Sequence, residues 1–223
     1  MAIDLSVCSI ASTGNIRTPK GRLSHAQYMM EGQENDSGNV MYNGGLLLPP
    51  TSDFKILKQT MYKIAFEKLN NKDAAVQQVN KRFLDPMNKP GGGKPEAEEF
   101  EGFILLRCSS KYRPDFIGPD GKAIPFDQVK NNNLVYSGRW ARFTVNPYWF
   151  EAKANKGITV GLQNVQLLDH DENIGGGKPS GAGEFEDTGV SAGDNASGGY
   201  NESDGGGSDF EDDVTTADED LFG

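Results

Sequence analysis

The end of this chain cannot build a core, and that decides what the rest of it must do. From Asp169 to Gly223 the sequence carries 16 acidic residues and one basic residue, Lys178, among Gly, Ser and Asn. Apolar side chains are too few there to offset the entropy of ordering the segment. We read residues 173–223 as a disordered, acidic, Gly-rich tail and residues 1–172 as one domain, a length that suits a single core. Residues 1–168 hold 16 acidic residues against 21 Lys and Arg, so a basic body carries an acidic arm under an overall net charge of −10. Such asymmetry points towards nucleic acid or a regulated partner surface.

Several classes drop out on residue chemistry. Met1 to Leu5 has no basic cluster leading into an apolar run, and nothing approaches a membrane span, so we expect a soluble, unexported protein with no membrane partner. Cys8 and Cys108 have no CxxC spacing and read as reduced packing residues. His25 and His170 lie far apart without clustered cysteines, which leaves a zinc site without ligands. No nucleophile sits beside a recognisable base, so we expect no enzyme, no cofactor and no metal. Gly91-Gly92-Gly93-Lys94 invites a phosphate-loop reading, but Pro95 stands where Ser or Thr should hold magnesium, and Gly175-Gly176-Gly177-Lys178-Pro179 repeats it as linker.

Periodicity gives the body a mainly β character with inserted helices. Residues 5–13 alternate in part, and residues 39–48 read as a strand bent or bulged at Gly44-Gly45. Thr51 or Ser52 is placed to cap an amphipathic helix through Phe54, Leu57, Met61, Ala65 and Leu69, and a shorter helix follows over residues 73–84. Residues 103–110 form a strand with Ile104, Leu106 and Cys108 on one face and Phe103, Leu105 and Arg107 on the other. In residues 138–145, Ala141, Phe143 and Val145 face a core while Trp140, Arg142 and Thr144 face away. Asn146-Pro147 reads as a turn. The closing strand, residues 158–168, slips phase between Leu162 and Val165, which predicts a bulge at Gln163-Asn164.

Cations interleaved with aromatic rings mark candidate contacts to single-stranded DNA, where rings stack bases and charges meet phosphates. These are Arg17, Lys20 and Arg22 on a Gly/Pro loop, Arg107, Lys111, Tyr112 and Arg113 at a strand end, and Arg139, Trp140, Arg142, Tyr148, Trp149, Lys153 and Lys156 in the closing block. In the tail, Phe185, Phe210 and the run Asp218, Glu219, Asp220, Leu221, Phe222 set apolar anchors beside carboxylates, as partner-binding motifs would.

The closing block over residues 156–168, the glycines that follow it, and the ending Asp218 to Gly223 resemble the single-stranded DNA-binding proteins of tailed bacteriophages. The resemblance implies an OB fold, a five-stranded Greek-key barrel. It implies sequence-independent binding of single-stranded DNA during phage DNA replication, recombination or repair, in the cytoplasm of the infected bacterial host. It also implies that the acidic tail recruits replication or recombination proteins, and from its charge alone we expect that tail to compete with DNA phosphates for the basic body. Duplex DNA and a second copy of the chain are further candidate partners. Two other readings use the same features: a DNA-mimic inhibitor acting through its tail, and a carbohydrate module whose rings stack on sugars. A strand binder loses affinity with salt and a sugar binder does not.

Overall fold

The computed structural model describes residues 3–34, 38–88, 95, 98–152 and 155–174, all within a compact unit that runs from Met1 to Lys178. Gly91, Gly92, Gly93, Lys94, Lys153 and all the tail motifs lie outside the described residues. In chain order the elements are β1 (Ser9–Ile10), β2 (Ile16–Arg17), β3 (Gly21–Ser24), α1 (Gln27–Met30), β4 (Gln33–Glu34), β5 (Val40–Leu48), α2 (Lys55–Leu69), α3 (Lys72–Asn80) and β6 (Phe83–Leu84). A 3-10 turn (Glu98–Phe100) then leads to β7 (Ile104–Ser110), β8 (Asp115–Ile117), β9 (Ala123–Ile124), α4 (Phe126–Asn131), β10 (Trp140–Ala152) and β11 (Asn155–Leu167).

Five of these strands close a ring. β3 pairs antiparallel with β5, β5 with β7, β11 with β10, and β10 with β3, while β7 and β11 run parallel. Numbered along the chain as first to fifth, the strands stand in the order first, second, third, fifth, fourth and back to first. Closure gives each of the five a neighbour on both sides over part of its length, and β10 beyond Val145 is paired on its β11 side alone. Alternation then sends Leu46, Leu48, Leu106, Cys108, Phe143 and Val160 into one interior core. Leu57, Met61 and Ala65 of α2, with Ala75 and Val79 of α3, extend that core. Cys8 and Cys108 are free and buried, and burial pushes the Cys8 thiol up to about 11.

The phase slip in the closing strand is a bulge. Thr144 pairs with Asn164 and Val145 with Leu162, which leaves Gln163 as the extra residue. That one residue lets Ile158, Val160 and Leu162 on one side of it, and Val165 and Leu167 on the other, all reach the core.

Other local expectations change for physical reasons. Gly44 and Gly45 do not bulge, since β5 stays in register with β7 through both. They are small because a Cβ on Gly44 would come 2.8 Å from Met29 Sδ, and one on Gly45 would press on Ser24 and Leu105. Residues 5–13 supply only β1 and an isolated bridge from Val7 to Asp53, because a turn closed by the Gly14 N–H on Ala11 O interrupts them. Phe54 stands at the N-cap of helix α2 without a side-chain cap, in place of Thr51 or Ser52, and Asp53 Oδ1 just before it accepts the Lys55 N–H at 2.7 Å. Helix α3 starts under Asn71 and stops at Asn80, after which Phe83 and Leu84 pair with β7. Pro147 makes no turn. β10 runs straight through it, and its pairings on the side away from β11 end at Val145, so no described partner needs the missing donor.

Candidate nucleic-acid interface

The outward face of β5 and β7 carries a cleft of about 360 Å³. Parity places Asn43 and Gly45 of β5 beside Arg107 and Ser109 of β7, opposite the side chains that enter the core. Gly45 gives only backbone to this lining, because Ser24 and Leu105 already close around the place its Cβ would take. The segment after β3 supplies His25 and Tyr28 to the rim. Their rings stack with centroids 6.2 Å apart, and Ser24 Oγ lies 2.6 Å from His25 Nδ1. His25 adopts a left-handed φ of +56°, a conformation that non-glycine residues hold chiefly where the surroundings enforce it.

Arg82, from the junction of α3 and β6, is the second cation of the cleft. Its guanidinium carbon lies 5.8 Å from the Phe150 ring centroid, and its Nε has no hydrogen-bond partner among the described residues. Burial lowers its pKa from the ordinary arginine value, and Tyr148 acts in the opposite sense. Tyr148 is 44% exposed on β10, across the ladder from Thr159, which also lines the cleft. Two guanidiniums, adaptable polar groups and rings of large area therefore meet on one face, with no carboxylate among the described lining residues.

Of the residues expected from sequence, Arg107 lies in this cleft and Tyr148 at its margin. Lys111, Tyr112 and Arg113 follow directly from β7 and are exposed, Tyr112 at 81%. Arg113 sits over Phe126 at 3.9 Å and near Tyr42 at 5.7 Å. Lys156 is exposed at the start of β11. Trp149 is half-buried against the core, and its indole donates to Glu151 Oε1 at 2.9 Å.

The Trp140 neighbourhood has a different character. Arg139 is 5% exposed, and its guanidinium donates to Leu134 O at 2.8 Å and Leu168 O at 3.0 Å, so it ties loops together inside the body. Arg22, 9% exposed, donates to Gly138 O and Glu172 O. The sequence suggests a surface role for both, and both guanidiniums instead lie buried and donate to backbone carbonyls of the body. Trp140 has Lys20 Nζ 5.1 Å and Arg22 Cζ 6.0 Å from its ring centroid, and its indole donates to Asp171 Oδ2. The residues after β11 thus form a strap across β3 and β10. Its Ile174 N–H donates to Ser137 O, and the Ile174 side chain packs on the cluster of Leu47, Phe100 and Leu105. Arg17 and Arg142 face a separate, smaller cleft beside the bulge.

Sequence reading misses His25, Tyr28 and Arg82. A faint signal exists for the first two, an aromatic pair three residues apart. For Arg82 it is a cation immediately before Phe83, at the point where the helical period of α3 fails.

The sequence matches the family model described as "Enterobacter phage Enc34, ssDNA-binding protein" over residues 14–195. Among solved structures, the single-stranded DNA-binding protein from bacteriophage Enc34 in complex with ssDNA is similar with a TM-score of 0.59 and 21% identity, covering 78% of this chain and 96% of that one. A C-terminal truncation of the Enc34 protein gives 0.57 and 20%, covering 78% and 95%. The Enc34 protein on its own gives 0.54 and 20%, covering 83% and 97%. No curated protein matches the chain.

Proposed function

We propose, on the premise that the chain belongs to the phage Enc34 single-stranded DNA-binding protein family, that its body binds single-stranded DNA without sequence specificity in the cleft on the β5 and β7 face. The family is one of binding proteins and not of enzymes. The observation that carries the reading is a closed ring of strands in the order first, second, third, fifth, fourth, with a cationic and aromatic cleft on the second and third. That order is the one we infer to be an OB barrel, in which oligonucleotides lie across the second and third strands and the loops beside them.

The chemistry follows from the residue types. Tyr28, Tyr148 and Tyr112 offer stacking surfaces that accept any base, and each stacked base contributes about 1–3 kcal/mol. Arg82, Arg107, Lys111, Arg113 and Lys156 meet phosphates. Sequence tolerance results from the balance, because stacking and charge carry no base-edge code. In the infected bacterial cell this would protect single strands during replication, recombination or repair, while the acidic tail recruits partner proteins and competes for the cleft.

The test is a fluorescence titration of labelled single-stranded and duplex oligonucleotides with the full chain. Single-stranded binding should weaken with salt, with a log–log slope near −0.7 per phosphate neutralised. Arg82→Ala and Arg107→Ala should each weaken it while the thermal melt stays in place. Absence of binding by the full chain would overturn the function, and unchanged affinity in both variants would move the site elsewhere.

A further inference from the structure

We propose that the seam between β10 and β11 carries a second phosphate site, built on Arg17 and Arg142, which takes a backbone phosphate of a nucleic acid strand too long for the first cleft. The ligand class rests on the nucleic-acid reading above, but the site itself stands on separate residues.

A cleft of about 280 Å³ opens there between β2 and β10 on one side and the turn after β8 on the other. Arg17, Arg142, Thr144, Asn164, Gln166 and Gly121 line it. Two guanidiniums share this small volume, and no described lining residue carries a carboxylate to neutralise them. Arg142 feels the consequence: burial first, and then the charge of Arg17, lower its pKa from the ordinary arginine value. An oxyanion relieves both effects, since like charges held in a half-buried cleft are stabilised by a counter-charge.

The donors are fixed in advance. Arg142 Nε donates to Gln166 Oε1 at 2.7 Å, and Gln166 Nε2 donates onward to Gly118 O at 3.0 Å. This chain sets the guanidinium plane and leaves the two terminal nitrogens, the pair that grips an oxyanion in parallel. Arg17 Nη1 donates to Ile10 O at 3.1 Å, which anchors its side chain and leaves further donors. Thr144 Oγ1 accepts from both Asn164 N and Asn164 Nδ2 at 3.1 Å, so its own proton is left to donate. The bulge at Gln163 is what brings Asn164 into this arrangement, because it pairs Asn164 with Thr144 and sends Leu162 inwards.

Place in the ring separates this site from the first. The first cleft touches β11 at Thr159, five residues before Asn164 and so about 15 Å away along the strand, and a few nucleotides lying on β5 and β7 do not reach the second. A longer strand that bends around β11 does.

Three probes test this on the full chain: inorganic phosphate, a short oligothymidylate of about 8 nucleotides and a long one of about 30, bracketing the span of one OB fold. With the long strand, Arg17→Gln with Arg142→Gln should lower the salt slope by about 0.7 for each phosphate that is no longer neutralised, and with the short strand leave it unchanged. Arg107→Ala should lower the slope on both. Inorganic phosphate should shift the Arg142 Nε–H resonance in the native chain and not in the Arg17→Gln variant. An unchanged slope on the long strand, or equal reductions on both lengths, overturns the proposal. If no oligonucleotide binds the native chain, the cleft reading fails, while the phosphate titration still decides the site. Should the double variant unfold, Arg17→Gln alone and Arg142→Lys, which keeps the charge but not the bidentate grip, carry the same comparison.

Discussion

Asp171 Oδ2 lies 3.4 Å from Arg22 Nη1 and accepts the Trp140 indole N–H at 2.8 Å, so one carboxylate joins the segment after β11 to both β3 and β10. Its other oxygen accepts the Glu172 N–H at 2.8 Å. These contacts hold the strap at the end of the face where Leu47 and Leu105 are covered, next to the open cleft at Gly45 and Arg107.

The strap should therefore titrate. The Glu172 backbone N–H first, then the Trp140 indole and Arg22, hold the Asp171 carboxyl below its ordinary 3.8. A folded-state pKa below the unfolded one contributes stability that is full above the unfolded value and is lost as pH falls through the folded one. In a Trp149→Phe background, Trp140 fluorescence should stay constant from neutral pH to about 4 and change only below it. Asp171→Asn should remove that transition, and a midpoint above 4 would contradict the assignment.

Arg139 and Arg107 should separate stability from binding. Arg139→Ala strips two half-buried carbonyls of their donors and should destabilise the body by about 1–3 kcal/mol in a denaturant melt. Oligonucleotide affinity per folded molecule should be unchanged. Arg107→Ala should do the reverse, with the melt intact and the salt slope reduced by about 0.7.

What can be read without coordinates is whatever a short stretch determines by itself. Ala141, Phe143 and Val145 announce their face by period two, and the slip at Gln163 shows because residues on either side of it must both be buried. Gly44-Gly45 misleads because the reason for glycine lies on another element, at Met29. Arg139 and Arg22 look like surface cations until the carbonyls of Leu134, Leu168, Gly138 and Glu172 are seen around them. The cleft is largely hidden for the same reason. His25, Tyr28, Arg82 and Arg107 come from separate segments, and only the pairing of β6 and β5 with β7 brings them together.

Glycines of the barrel should rank by what their missing Cβ would meet. At Gly21 it would run into the Leu47 carbonyl, which is backbone and paired across the ladder from Arg22. At Gly44 it would meet Met29 Sδ at 2.8 Å, the end of an adaptable side chain. Gly21→Ala should destabilise by about 1–3 kcal/mol or more and Gly44→Ala by less, both measured by urea denaturation. Reversal of that order would mean that the strands part more easily than Met29 moves.

The place where the tail is cut decides what a truncation reports. Ile174 donates its N–H to Ser137 O at 3.0 Å and covers Leu47 and Phe100, so a chain ended at Asn173 loses part of the body together with the charge. A chain ended after Lys178 keeps the strap and removes 13 acidic residues with no Lys or Arg among them. If the arm competes with phosphates for the cleft, this truncation should bind single strands roughly ten-fold more tightly at low ionic strength, because a like-charged neighbour repels the ligand. The gain should shrink as salt shortens the Debye length to about 8 Å. A chain ended at Leu168, which also loses Asp169, Asp171 and Glu172, should show at least that gain together with a lower melting temperature. Equal affinity for the full chain and the chain ended after Lys178, across the salt series, would exclude competition and leave recruitment of partners as the tail's role.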